Sequence, residues 1–247
     1  MLPLPNKLQI ERDHEEELSL LKKARVYLES RDREGIHATD LLDPRLSFFK
    51  KTTGAPIPDR LLNVFLIGQV LHAIVQVVDA GSKDYTNPPE VGTKFFEDLA
   101  YTPDIMNLSG EPNELKTTRS FYLPKSPYLP DESTYHMYLE QLLVYMAAED
   151  KISGRLTVLM LNHKEDGKTA PQIFVWKITT TPQALEAYRE VIRKAKTALA
   201  KAVETKDHTP LPLCRTWKCL DCEFFQELCK PPGRFEFGQN KPKDWTA

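Results

Sequence analysis

Asp104–Lys116 reads "DIMNLSGEPNELK". Two hydrophobic pieces flank a turn-like "SGEP", an acid accompanies the first piece, and a Glu and a Lys stand two apart on the second. In an extended strand alternate side chains share a face, so Glu114 and Lys116 project to one side and Leu115 to the other. Pairing of "PDIM" with "NELK" through a turn at Gly110 brings Asp104 toward Glu114. Two carboxylates so placed repel unless a cation sits between them. Hard divalent ions such as Mg²⁺ or Mn²⁺ take oxygen ligands and keep several waters, which suits phosphate chemistry. A neighbouring Lys then orients water or stabilises charge at phosphorus. Taken alone, acid–turn–Glu-x-Lys is common, and a surface hairpin with one Glu–Lys pair is its more frequent source.

The segments on either side read as an alternating α/β chain. Residues 10–33 are charged but carry Leu18, Leu21, Ala24, Val26 and Leu28, the pattern of an amphipathic helix lying on a core. "HATDLLDPRLSFFKK" follows, with Thr39 or Asp40 as a helix cap and Pro44 as punctuation. Residues 59–79 are apolar nearly all round, which predicts a helix buried on most faces, with His72 in its middle. "KFFEDLAY", "PDIMNLS" and "PNELKTT" read as three short strands, and "ESTYHMYLEQLLVYMAAED" as a periodic helix. "RLTVLMLNH" and "QIFVWKIT" alternate as a hairpin around "KEDGKTA", and a long helix opens at Pro182.

Bulk properties narrow the class. A chain of 247 residues is long enough to bury a substantial core. Its 33 basic and 35 acidic side chains, a net charge of −2, exclude a uniformly basic nucleic-acid coat but not a local basic groove. No apolar run reaches the roughly 18 residues of a membrane helix, and no signal-like apolar region opens the chain, so a soluble, intracellular protein is expected. All four cysteines, Cys214, Cys219, Cys222 and Cys229, fall in "CRTWKCLDCEFFQELC". In a reducing compartment that spacing favours a metal or an iron–sulfur cluster over disulfides. Trp217, Phe224 and Phe225 are expected to pack around it.

The ordered set of motifs resembles the PD-(D/E)XK nuclease superfamily, in particular its RecB-like exonuclease branch, which includes the CRISPR-associated Cas-four nucleases. Four stretches carry the resemblance: "IGQVLHAIV" with His72, "TPDIM" with Asp104, "NELK" with Glu114 and Lys116, and "QLLVY" with Gln141 and Tyr145. It runs from about residue 37 to about residue 230. It implies a restriction-endonuclease-like mixed central sheet flanked by helices, with a C-terminal cysteine clip. His72, Asp104, Glu114 and the Leu115 carbonyl would hold Mg²⁺ or Mn²⁺. Lys116 would align the nucleophile, and Gln141 and Tyr145 would position the strand or the lysine.

In the iron–sulfur members of that branch, one cysteine precedes the core in a Cys-Pro-Arg-like element and three follow it. Here "DPR" places Asp43 where the first is expected, while Cys219, Cys222 and Cys229 match the last three and Cys214 is an extra. Four local thiolates suit Zn²⁺ as readily as a [4Fe–4S] cluster. Phosphate contacts are expected from Lys50, Lys51, Arg119 and Lys125, whereas Arg189, Arg193, Lys194 and Lys196 read as a solvated helix face.

The expected organisation is an N-terminal helical extension over 1–36, a nuclease core over 37–208 and a cysteine clip and tail over 209–247. The implied activity is metal-dependent exonucleolytic cleavage of single-stranded or unwound DNA. The alternative is a non-catalytic DNA-end-binding or assembly module on the same fold; a third reading is a zinc-ribbon interaction protein in which the hairpin is incidental. Implied partners are DNA and replication, recombination or CRISPR-adaptation proteins, with no membrane, in the cytoplasm of a prokaryotic or viral setting.

Overall fold

The computed structural model describes residues 35–56, 59–79, 92–119, 134–165, 167–215 and 224–229, together with Lys22, Lys23, Val26, Cys219 and Cys222. The helix expected over 10–33 lies outside these residues except for Lys22, Lys23 and Val26, which are helical. Trp217 and Lys125 also lie outside them.

The chain is α/β, with two mixed sheets flanked by helices. Strand β4 (Ile105–Met106) pairs antiparallel with β5 (Pro112–Thr118), in the register Ile105 to Asn113. The turn between them is organised by Asn107. Its Oδ1 accepts from the backbone N–H of Ser109 at 3.0 Å and of Glu111 at 2.8 Å. Gly110 closes the turn at φ +72°, a conformation glycine adopts without steric cost. Helix α3 (Thr134–Ala148) then carries the chain toward β6 (Ser153–Glu165), which runs parallel to β5 and places Glu114 opposite Leu156 and Lys116 opposite Val158. A parallel pair needs such a long crossover, because a tight turn can only reverse the chain. Strand β7 (Lys168–Thr179) returns antiparallel to β6 and completes the order β4-β5-β6-β7.

Side chains of α3 and of the sheet form the main core, in which Leu142, Met146, Leu156, Val158 and Met160 are fully buried. Each contributes on the order of 1.5–3 kcal/mol relative to exposure. Helix α4 (Pro182–Thr205) opens with Pro182 in its first turn and with Thr181, whose hydroxyl accepts from the Ala184 N–H at 3.1 Å. Its buried residues Leu185, Ile192, Leu199 and Ala202 make one stripe, which reaches a second cluster formed with Phe48, Phe49, Leu211 and Phe224. Phe48 and Phe49 come from α1 (Pro44–Thr53).

Two expectations need correction. "KFFEDLAY" is not one strand but two, β2 (Lys94–Phe96) and β3 (Leu99–Tyr101), which join β1 (Ile36–His37) in a separate sheet of order β1-β3-β2. The break falls at Glu97 and Asp98, both with positive φ (49° and 61°), the backbone of a tight hairpin usually marked by Asn-Gly. Arg193 compensates for the strain by donating to Glu97 Oε1 and Oε2 at 2.8 Å, and Lys196 donates to the Glu97 carbonyl. Second, the apolar helix α2 (Asp59–Asp79) is not buried on most faces. Ile67, Val70 and Ile74, on the side away from His72, are exposed among the described residues.

β6 approaches α3 closely at Gly154. A Cβ there would meet the Pro112 carbonyl and Leu142 Cδ1 at 3.0 Å and Met146 Cγ at 3.1 Å. Gly154→Ala is expected to cost about 1–3 kcal/mol through overpacking, a fall in Tm of several degrees by thermal unfolding. An unchanged Tm would mean that the sheet and α3 are less tightly seated than this spacing requires.

Candidate active site

Four expected site residues converge at the head of β5. The turn brings Asp104 back onto the strand, where its Oδ2 accepts from the Leu115 N–H at 2.8 Å. Its Oδ1 lies 3.5 Å from His72 Nδ1 on α2. Gln76, one helical turn after His72, donates Nε2 to the Asp104 carbonyl at 2.6 Å and ties α2 to this position. Glu114 and Lys116 share the face turned toward α3, as strand alternation dictates, and the lysine ammonium contacts Glu114 Oε1 as an ion pair. Leu115 points the opposite way and is buried.

Burial separates the members sharply. The side chains of His72, Asp104 and Lys116 keep 19–21% of their surface exposed, while that of Glu114 keeps 0%. Glu114 Oε2 meets no hydrogen-bond donor among the described residues. An ionised carboxylate in that position lacks solvation, so burial first, and Asp104 in addition, push Glu114 up to about 8 despite the attraction of Lys116. Burial also acts to raise Asp104, but the His72 hydrogen bond, Lys116 and the Leu115 N–H outweigh it and hold Asp104 below its ordinary value. For Lys116, burial is outweighed by Glu114 and Asp104, which hold its pKa high and keep it an ammonium. The two neighbouring acids are thus shifted in opposite directions, Asp104 down and Glu114 up.

Gln141 and Tyr145 occupy one face of α3 as their spacing requires, both buried, with Gln141 Nε2 donating to Tyr145 Oη at 2.7 Å. The ring found under the lysine is instead that of Tyr138, 5.7 Å from Lys116 Nζ. Sequence reading missed both Tyr138 and Gln76. Tyr138 precedes Gln141 by one helical turn and Gln76 follows His72 by one, so helical periodicity applied to the motif residues would have found them.

Of the expected phosphate contacts, Arg119 is exposed just beyond β5, and Lys50 is exposed on α1. Lys51 is occupied structurally, donating to the Gly35 carbonyl at 2.7 Å and pairing with Asp40 at 2.9 Å. Arg189, Arg193 and Lys196 are likewise engaged with Asp150, Glu97, Asp98 and their helical neighbours.

The four cysteines form no disulfide and gather around one cavity, with Phe225 in its lining. Burial, and then Asp43, Cys219 and Cys222 nearby, push the Cys214 thiol up to about 12. Among the described residues, no group of three or more His, Cys, Asp or Glu side chains already stands in metal-holding geometry. No helix among them is long and apolar enough to cross a membrane.

The comparisons are silent. No protein-family model, curated protein or solved structure matches this chain.

The raised pKa of Glu114 fixes the sign of a pH effect. Its neutral form is favoured by the fold, so its contribution to stability is complete below the ordinary value of 4.5 and is lost as pH rises through about 8. Glu114→Gln mimics the neutral form at every pH. In chelator-containing buffer, its Tm is expected to exceed that of wild type by more than about 4 °C at pH 9, with a much smaller gap at pH 5. A gap independent of pH would refute this account of Glu114.

Proposed function

We propose that this chain is a metal-dependent nuclease that hydrolyses DNA phosphodiesters, acting on single-stranded or unwound ends, on a PD-(D/E)XK fold of the RecB-like kind. The observation that carries this reading is the buried Glu114 carboxylate, with one oxygen lacking any donor, set beside Asp104 and against Lys116. Stability alone does not call for this arrangement, since an apolar residue of similar size costs less in such a place. An acceptor oxygen with no donor is, however, what a hard cation requires.

Glu114, Asp104, His72 and the Leu115 carbonyl are the groups that would hold Mg²⁺ or Mn²⁺. When bound, the ion supplies Lewis acidity at the scissile phosphate and increases the acidity of water. The remaining roles belong to the chain itself. Lys116, an ammonium at neutral pH, donates to the attacking water and offsets the negative charge that builds on the non-bridging oxygens. The face of Tyr138 fixes where that ammonium stands. Gln76 and the Leu115 N–H hold Asp104 in place, which limits the reorganisation needed when substrate arrives. Arg119, exposed just beyond β5, would serve as a phosphate contact. Recognition of this kind would go through backbone charge and fall with salt.

The test is cleavage of end-labelled single-stranded and duplex DNA with Mg²⁺ or Mn²⁺. Asp104→Ala, Glu114→Ala and Lys116→Ala are each expected to lower the rate by about 10²-fold or more, and Arg119→Ala to weaken binding with a smaller effect on turnover. Equal rates in wild type and the three site variants would refute the assignment. DNA binding without cleavage in wild type would favour the non-catalytic module.

A further inference from the structure

The face of the sheet under α3 carries a row of rings that leads away from the candidate active site. Strand alternation puts Phe174 and Trp176 of β7 on the side of Val158 and Leu156, their partners on β6. The same alternation would send His163 to the opposite side. A bulge between Met160 and His163 shifts the register by one residue and brings the His163 ring onto Phe174. The row is continuous. From Lys116 Nζ it passes to Tyr138, Tyr135, Trp176, Phe174 and His163, with each step between 5.0 and 6.3 Å.

Close ring packing is ordinary in a core, but this row carries unmet polar groups and is incompletely covered. Tyr135 is 8% exposed, yet its Oη has no hydrogen-bond partner among the described residues, and neither has His163 Nδ1. A buried phenol normally finds a partner. Burial, and then Tyr138, push the Tyr135 phenol up to about 12, so it remains a donor in want of an acceptor. On β6 the inward residues Leu156, Val158 and Met160 are fully buried, whereas Phe174 and Trp176 beside them are only partly covered. Their rings stand 6.3 Å apart and only 27° from parallel. The far end of the row is cationic. Asn162 Nδ2 donates to the Arg119 carbonyl at 3.5 Å, which keeps the exposed Arg119 close to His163, and Lys164 is exposed next in sequence. Flat faces in series, donors without acceptors and a cation at either end suit a single polynucleotide strand, whose bases stack and whose phosphates accept. A duplex has its bases already stacked in pairs and offers such a row no face.

We propose that Phe174 and Trp176 form a stacking platform for the bases of single-stranded DNA, in a row of rings that ends at Lys116, with Arg119 as its phosphate contact. The platform deepens the nuclease reading, on which the destination of the strand rests. Stacking on these rings is indifferent to base identity, because every base has a flat face.

The experiment measures binding by the full chain, in chelator so that no strand is cut. The probes are a labelled thymidine oligonucleotide about 12 nucleotides long and a duplex of the same length. Tighter binding of the single strand is expected. Trp176→Leu and Phe174→Leu should each weaken it about tenfold, while Val175→Thr, on the exposed opposite face, leaves it unchanged. Should a leucine variant fail to fold, the wild type decides. An oligonucleotide carrying photoreactive iodouracil is expected to crosslink to the tryptic peptide Thr169–Lys177, which holds both rings. Undiminished affinity in folded Trp176→Leu and Phe174→Leu, an equal loss in Val175→Thr, crosslinks confined to other peptides, equal binding of the duplex, or no binding of single strand by wild type would each overturn the platform. Binding and crosslinking as expected, without cleavage on adding Mg²⁺ or Mn²⁺, would support the platform and refute the nuclease reading. Cleavage by wild type with unaltered affinity in both ring variants would do the reverse.

Discussion

A carboxylate with no exposed surface in the middle of an apolar sheet is the constraint around which this structure is arranged. Glu114 sits opposite Leu156 in the register, beneath α3, with the Lys116 ammonium against it. The attraction of Lys116 offsets part of the desolvation of that carboxyl. The strand must therefore present both residues to the same side, and α3 must place Tyr138 over the ammonium. The hairpin must also return Asp104 to the Leu115 N–H. The order of elements from α2 to β6 places these groups within one small volume.

Much of this was legible in the residues. Alternation in "NELK" put Glu114 and Lys116 on one face, and Gly110 announced the turn that returns Asp104. The burial of Glu114 was not legible, because a Glu–Lys pair two residues apart reads the same on a surface strand as in a core. The break in "KFFEDLAY" was hidden for a different reason. Glu97 and Asp98 adopt left-handed backbone without glycine, and the compensation comes from Arg193 and Lys196, about a hundred residues later. Local propensity cannot show support that arrives from so far along the chain. The apolar run of α2 was likewise misleading, because composition gives hydrophobicity but not the number of neighbours available to cover it.

Charge on the remaining surface is largely internal bookkeeping. The basic residues Arg189, Arg193 and Lys196 of α4 neutralise acids on the β2–β3 turn, at Asp150 and on the helix itself. Arg193 and Lys196 tie α4 to the β2–β3 turn, and Leu185 and Ile192 share a core with Leu99 and Tyr101 of the smaller sheet. Arg215 does comparable work in a buried setting, joining Asp43 and Glu140 across two helices. Among the described residues, Arg119 is an exposed cation that emerges directly beyond β5.

The parallel pairing of β5 with β6 has a consequence for biosynthesis. The bond from Thr157 to Asn113 closes a loop of 44 residues, an entropic cost that is incurred before the strands gain from pairing. A chain that has emerged only through α3 already contains His72, Asp104, Glu114 and Lys116, but the edge of β5 that β6 will cover is still open. The enclosure of Glu114 is completed only when β6 pairs with β5.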